Sequence, residues 1–271
     1  MRIAALQPSV SIILDRLGRL DCLVACTRYC VDAVPSLGQC QMSIVHDSWS
    51  TTVDELLTVK PDLVIASVPY RNESLAAILK AGCPVLALAP HSLADIENDI
   101  RLMAALTEAR AQGETIVAGM RSAIGDVRRR TAALRGRPLV YCEEWGKPLI
   151  HSQLWVKELV EAAGGVFLGE PGVATTPEDI ADANPDIVIA AWCGAGDRVP
   201  LEELAGRPGW EQIRAVRDDR VYCIADELLN TPAPTLVEGL RAIASALHPD
   251  IFGTTRGIRA LDQSRTLTGR V

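Results

Sequence analysis

The chain has 271 residues, 48% of them hydrophobic and 23% charged, which is enough to bury a core without disulfides or a structural metal and is far from disorder. Its net charge of -7 argues against a nucleic-acid partner, because phosphate binding needs concentrated Lys and Arg. Eight cysteines without a single C-x-x-C pair read as the usage of a reducing compartment.

The N-terminus lacks an apolar signal-peptide core. No apolar run reaches the ~18 residues that span a bilayer. The expectation is a cytoplasmic protein without membrane insertion, or a periplasmic one if a leader has been removed. In chain order, a strand is predicted near 2–6, a helix near 9–18 ending at Gly18, and a strand over 22–27. A helix near 52–59 leads to Lys60-Pro61-Asp62-Leu63-Val64-Ile65-Ala66, which returns as Asn184-Pro185-Asp186-Ile187-Val188-Ile189-Ala190. Proline ends a helix, and branched aliphatics after it make a buried strand, so each copy reads as helix, stop, strand. One structural unit is used twice.

A helix over 73–81 and a strand over 83–88 follow. Ser92 with Asp95 forms a capping box. From there 93–135 is almost entirely helical, with a weak point at Gly113, and makes a stiff connector. The second half opens with a strand at 138–142. Ser152 is expected to cap a helix ending near 164, followed by a strand near 166, a helical turn at 179–183 and the second Pro-Asp strand. A helix at 200–206, a strand at 220–224 and a helix at 234–247 complete it. Strand–helix alternation at these intervals predicts an α/β fold of two Rossmann-like lobes with parallel sheets, joined by a long backbone helix. The predicted division is 1–92, connector 93–136, 137–252, and a loosely held tail over 253–271.

No phosphate loop, dinucleotide fingerprint, zinc-protease motif or serine elbow is present. None of His46, His91, His151 and His248 lies at metal-ligand spacing from another. Ligands of open α/β sheets bind beyond the carboxyl ends of the strands, and there this chain places aromatics and thiols. Tyr29 and Cys30 follow the second strand, Trp49 sits in a Ser-Trp-Ser loop, and Tyr70 follows the first Pro-Asp strand. Trp145 follows Cys142, and Trp192 with Cys193 follows the second Pro-Asp strand. Five aromatics at one cleft would suit a large planar or macrocyclic ligand. The alternative for each is a lid over the core, and for each thiol a small buried hydrophobe. Trp155 and Trp210 read as packing residues, and Cys22 and Cys26 as core.

The order of elements resembles the vitamin B12-binding proteins of the class III substrate-binding type, the helical-backbone metal receptors. The carriers of the likeness are Gln7-Pro8-Ser9, residues 24–30, both Pro-Asp segments, Trp192-Cys193-Gly194, Arg207-Pro208-Gly209-Trp210, residues 215–222 and residues 234–240. The resemblance implies a non-enzymatic protein holding a corrinoid such as cobalamin between its lobes. Its ligand-binding residues would be Ser9, Tyr29, Cys30, Trp49, Tyr70, Trp145, His151, Trp192 and Cys193. Cys193, Cys142 or His151 are candidates for an axial ligand, and a protein-bound metal stays unassigned. It further implies docking to an ABC permease through an acid on each lobe. Glu73 matches the first, while the second falls at Asn230, near Glu227, which favours an intracellular or importer-associated carrier. Three other functions remain open: an iron-siderophore or haem binder of an ABC importer, a metal-chelatase-like enzyme using His151 with Glu143 or Glu144, and a protein-interaction module that has kept the fold and lost the ligand.

Overall fold

The computed structural model describes residues 1–262. The chain divides into two compact units, Met1–Gly119 with Pro232–Pro234, and Met120–Thr231 with the residues from Thr235 onward.

In the first unit, β1 (Ile3–Ala5) leads to α1 (Pro8–Arg16), β2 (Leu23–Thr27) to α2 (Arg28–Ala33), and β3 (Ser43–Val45) to α3 (Val53–Val59). Then come β4 (Leu63–Ser67), α4 (Asn72–Lys80), β5 (Val85–Leu88), α5 (Leu93–Leu106) and α6 (Arg110–Thr131), the last crossing the division at Gly119. The five strands are all parallel, in the order β3-β2-β1-β4-β5. Strand order therefore reverses between β1 and β4, and the crevice beyond their carboxyl ends is the expected ligand position of such a sheet.

In the second unit the elements are β6 (Leu139–Gly146), β7 (Leu149–His151), α7 (Leu154–Ala162), β8 (Val166–Phe167), β9 (Ala174–Thr175) and α8 (Pro177–Ala183). They continue with β10 (Ile187–Ala190), α9 (Leu201–Ala205), α10 (Arg214–Arg217), β11 (Val221–Ile224), α11 (Leu236–Leu247), α12 (Pro249–Phe252) and β12 (Ile258–Ala260). This sheet is mixed rather than parallel: β8, β6, β10 and β11 run parallel, but β7, β9 and β12 pair antiparallel. The antiparallel hairpin β6–β7 turns within two residues, too short for the helical crossover that a parallel pair requires.

The Pro-Asp repeat has a shared physical cause. Lys60 and Asn184 end α3 and α8 in the left-handed conformation, at φ 53° and 48°. The Asp that follows then accepts a backbone N–H at the start of the neighbouring strand. Asp62 Oδ2 takes the amide of Arg2 at 2.7 Å, and Asp186 Oδ2 that of Leu139 at 2.8 Å. Each carboxylate thus pins the chain at the entry to the strand that β4 or β10 pairs with: Arg2, just before β1, and Leu139, the first residue of β6. Asp186 also holds Arg214 at 2.8 Å. Asp186→Ala is expected to lower stability by about 1–3 kcal/mol, and the more exposed Asp62→Ala by less, as read from urea midpoints.

Several sequence expectations need correction. Thr107–Ala109, not Gly113, separates α5 from α6. Gly113 lies inside α6, where a Cβ would come within 2.5 Å of Ala104 Cβ, so its lack of a side chain lets the two helices touch. Ser152 does not cap α7, whose N-cap position is Gln153 and carries no side-chain cap, and the buried Ser152 hydroxyl has no partner among the described residues. The capping box at Ser92 and Asp95 is present. Of the segment read as a tail, Ile258–Ala260 form a strand on β11 and Leu261 is buried, while 263–271 lie outside the described residues. Trp155 and Trp210 are buried, their indole N–H groups donating to the carbonyls of Leu229 and Pro177. Cys22 and Cys26 are buried as well.

Candidate functional site

At the carboxyl end of β6 the chain runs Glu143-Glu144-Trp145-Gly146, with an irregular register against β7 between Glu143 and Trp145. Trp145 is 43% exposed, and its indole N–H donates to Lys147 O at 2.9 Å. Trp192 leaves the end of β10 and lies across Gly146. A Cβ on that glycine would stand 2.6 Å from the Trp192 ring, so only glycine lets the indole settle there. Trp145, Gly146, Lys147, Trp192, Cys193 and Glu203 line a cavity of about 470 Å³, mostly apolar and open to solvent.

Trp192 is fixed by its N–H as well as its ring. The indole donates at 2.8 Å to Glu143 Oε1, a carboxylate with no exposed surface. Arg207 grips the same carboxylate bidentately, at 2.6 and 2.8 Å, and the Tyr141 hydroxyl donates to it at 2.8 Å. Four donors compensate one buried charge, the condition under which such a charge is tolerated. Burial and the neighbouring carboxylate push the Tyr141 hydroxyl well above its ordinary value, so it stays a donor. The Arg207 guanidinium also lies 4.8 Å from the centre of the Trp210 ring.

The loop after Trp192 is tied down in turn. Asp226 accepts the amides of Gly194 and Gly196 at 2.7 and 2.9 Å, and the Asn230 side chain donates to Ala191 O at 2.6 Å. Asn230 therefore positions this loop, whatever its place in the family pattern. Cys193 is exposed in the cavity wall. Burial of its sulfur, with the nearby Glu144 and Asp226 charges, pushes its thiol up to about 12. Burial also raises the Glu144 carboxyl, which accepts from Gln153 at 2.8 Å.

Of the other residues singled out, Cys142 is buried without exposure and His151 is 4% exposed. The His151 ring meets Tyr141 edge-on at 5.3 Å, and its Nδ1 has no partner among the described residues. Neither residue lines the cavity. Glu143 is locked to Arg207 and Glu144 accepts from Gln153, so among the described residues neither carboxylate is hydrogen-bonded to His151 as a chelatase pair would be. Burial lowers the His151 pKa, so the unfolded chain takes up the proton first. Stability contributed by the neutral ring is present above the unfolded value of ~6.5 and is lost as pH falls through it. His151→Phe is expected to flatten melting temperature against pH on the acid side of neutrality, leaving the slope that comes from His248, whose pKa burial also lowers.

In the first unit, the strand-end loops are laced together where the strand order reverses. Gln7, after β1, donates to Ser48 Oγ at 2.7 Å and to Pro69 O at 3.0 Å, and Ser48 donates to Pro69 O at 2.9 Å. Trp49, 54% exposed, has the Arg71 guanidinium 5.9 Å from its ring centre. Tyr70 is half-buried and packs on the core. Tyr29, 58% exposed, lines a cavity of about 620 Å³ with Thr27, Arg28, Ile44, His46 and Asp47; Trp49 and Tyr70 do not line it. Ser9 is buried, its hydroxyl without a partner among the described residues, and Cys30 has no exposed surface. Among the described residues, no three of His, Cys, Asp or Glu gather as a metal-holding group, and no helix is long and apolar enough to cross a membrane.

Residues 3–228 match the family model described as "Periplasmic binding protein". The chain belongs to this family. It is 27% identical over 263 residues to the "Uncharacterized ABC transporter substrate-binding lipoprotein YvrC" of Bacillus subtilis (strain 168), covering 93% of this chain and 81% of that protein. It is 25% identical over 260 residues to the "Cobalamin-binding protein" of Halobacterium salinarum, covering 91% and 69% of the two. A periplasmic heme-binding protein from Pseudomonas aeruginosa superposes with a TM-score of 0.84 at 21% identity, over 96% of this chain and 98% of that one. The class III resemblance and the two-lobed α/β fold are thereby established, in a family of solute-binding proteins. The cytoplasmic placement is overturned: a periplasmic family and a lipoprotein relative point outside the cytoplasm. Cysteine spacing misled because all eight thiols are unpaired, most of them core packing that carries no compartment signal.

The Glu143–Arg207 pair escaped the sequence reading, although both residues were in view, Glu143 as a catalytic candidate and Arg207 within a family motif. The available signal was the glutamate at the end of an apolar strand, where an unpaired charge could not stay.

Proposed function

We propose that the chain captures a flat metal chelate, a cobalamin-like corrinoid, for an ABC importer. The observation that carries this is the cavity of the second unit, where two indoles are presented and one is locked from both ring and N–H. Such walls favour stacking on a broad, partly apolar ligand over a sugar or a bare ion. The cobalamin-binding relative from Halobacterium supports the corrinoid over other chelates. Cys193 is the only one of the three axial-ligand candidates lining the cavity. With its thiol held protonated at neutral pH, stacking and desolvation dominate binding. Within the first unit, Tyr29, Trp49 and the Tyr70 loop would offer ligand contacts of their own. Exposed Glu73, at the start of α4, would meet an arginine of the permease.

Titration of tryptophan fluorescence with hydroxocobalamin, haemin and a ferric siderophore tests the reading. Saturable quenching by hydroxocobalamin, weakened in Trp192→Ala, is the expected result. Quenching by haemin or the siderophore alone would move the assignment to that chelate, and quenching by none would overturn it. Corrin bands unchanged on binding would confirm that no side chain ligates the metal.

A further inference from the structure

Next to Thr27 and Tyr29, which line the first unit's cavity, Cys26, Cys30 and Met42 bring three sulfur atoms together. Cys26 is the penultimate residue of β2, Cys30 lies in the first turn of α2, and Met42 immediately precedes β3. Cys26 Sγ is 3.2 Å from Met42 Sδ, and Cys30 Sγ lies 3.9 Å from the carbonyl of Ala5, the residue paired with Cys26 across β1 and β2; the two thiols interact. The Thr27 hydroxyl, 3.3 Å from Cys30 Sγ, fixes the second thiol, while the same Oγ accepts the Cys30 amide and caps α2. Both thiols have no exposed surface, while Met42 is only partly covered. Cys used as a simple core filler faces hydrocarbon; here sulfur faces sulfur.

We propose that Cys26, Cys30 and Met42 form a binding site for a soft monovalent metal ion of the Cu(I) or Ag(I) type, distinct from the aromatic cavity. Two thiols and a thioether are the donors that select such ions over hard cations. Zn(II) asks for four donors in a tetrahedron and finds three. On binding, one thiol releases its proton to solvent and its sulfur bonds the ion. The thiolate charge cancels that of the ion, so the buried site ends neutral, with the second thiol and the thioether as uncharged donors. No oxidant or reductant takes part. The ion enters past Met42 and ties β2, α2 and β3 together, which stabilises the folded chain by mass action.

The test uses the reduced full-length protein carrying Cys40→Ser and Cys193→Ser, which removes the two exposed thiols. Anaerobic titration with Ag(I) against a chromophoric competitor is expected to show one tightly held ion, confirmed by native mass spectrometry, with a raised melting temperature. Met42→Leu keeps the shape of the core and should weaken uptake by at least about tenfold, while Cys26→Ser or Cys30→Ser should abolish it. Uptake unchanged by Met42→Leu, or absent once Cys40 and Cys193 are gone, would overturn the site. So would isolation of the protein with Cys26 and Cys30 already joined as a disulfide. Trp145 and Trp192 are untouched throughout, so failure here leaves the chelate reading standing.

Discussion

Glu143→Ala is expected to destabilise the second unit by about 3–5 kcal/mol, the range found when one partner of a buried ion pair is removed. The deletion leaves three donors without an acceptor: Arg207, itself largely buried, the Tyr141 hydroxyl and the Trp192 indole. An uncompensated guanidinium in that place is worse than no charge at all. Two further variants separate charge from shape. Glu143→Gln keeps the volume and an acceptor but loses the ionic contact, and should fall between wild type and alanine. Glu143→Leu combined with Arg207→Met removes both charges and should recover much of the loss, because well-packed apolar residues often replace a buried pair at little penalty. Urea unfolding followed by far-ultraviolet circular dichroism gives the order. A double variant as unstable as Glu143→Ala would mean that the network matters through its hydrogen bonds rather than its charge. Chelate affinity should not recover in the double variant, since Trp192 would still lack its acceptor.

Gly146→Ala should have the largest effect on ligand binding with the smallest change in chemistry. The added methyl would lie 2.6, 2.9 and 3.0 Å from three carbons of the Trp192 ring, closer than van der Waals contact allows. The strand backbone is held by β7, so the indole has to swing away. That breaks its bond to Glu143 and removes one wall of the cavity. Losing one aromatic contact and its preorganisation corresponds to about 1.5–3 kcal/mol, or roughly 10–100-fold in affinity. The measurement is hydroxocobalamin titration beside a Trp192 emission spectrum. A red-shifted emission with weakened binding is the expected pair. Unchanged affinity with a displaced indole would remove Trp192 from recognition.

The fold was legible where local chemistry decides it. Each Pro-Asp repeat had to stop a helix and start a buried strand, and Ser92 with Asp95 had to open one. The aromatics at strand ends were legible too, since position along the chain places a residue at the carboxyl edge of a sheet. What the residue does there is set by partners far away in sequence. Glu143 and Arg207 are 64 residues apart, and the apolar strand before Glu143 says that its charge needs a partner without saying which residue that is. His151 and Cys30 failed as wall residues for a related reason. Each occupies a strand-end or helix-start position, yet its side chain turns into the core, a choice made by packing. The short strands β7, β9 and β12 have two or three residues each, too few for an alternating pattern to show.

The strand β12 has a consequence for solubility. By lying antiparallel on β11, with Arg259 reaching back to the carbonyls of Asp197 and Val199, it occupies a row of backbone donors and acceptors that would otherwise face outward. Three residues with an arginine at their centre make a blunt border, a common guard against sheets growing from chain to chain. Trimming the protein after Phe252 would bare the longer, apolar β11 and offer it as a template to a second molecule, so truncation there should yield aggregates rather than a smaller soluble receptor.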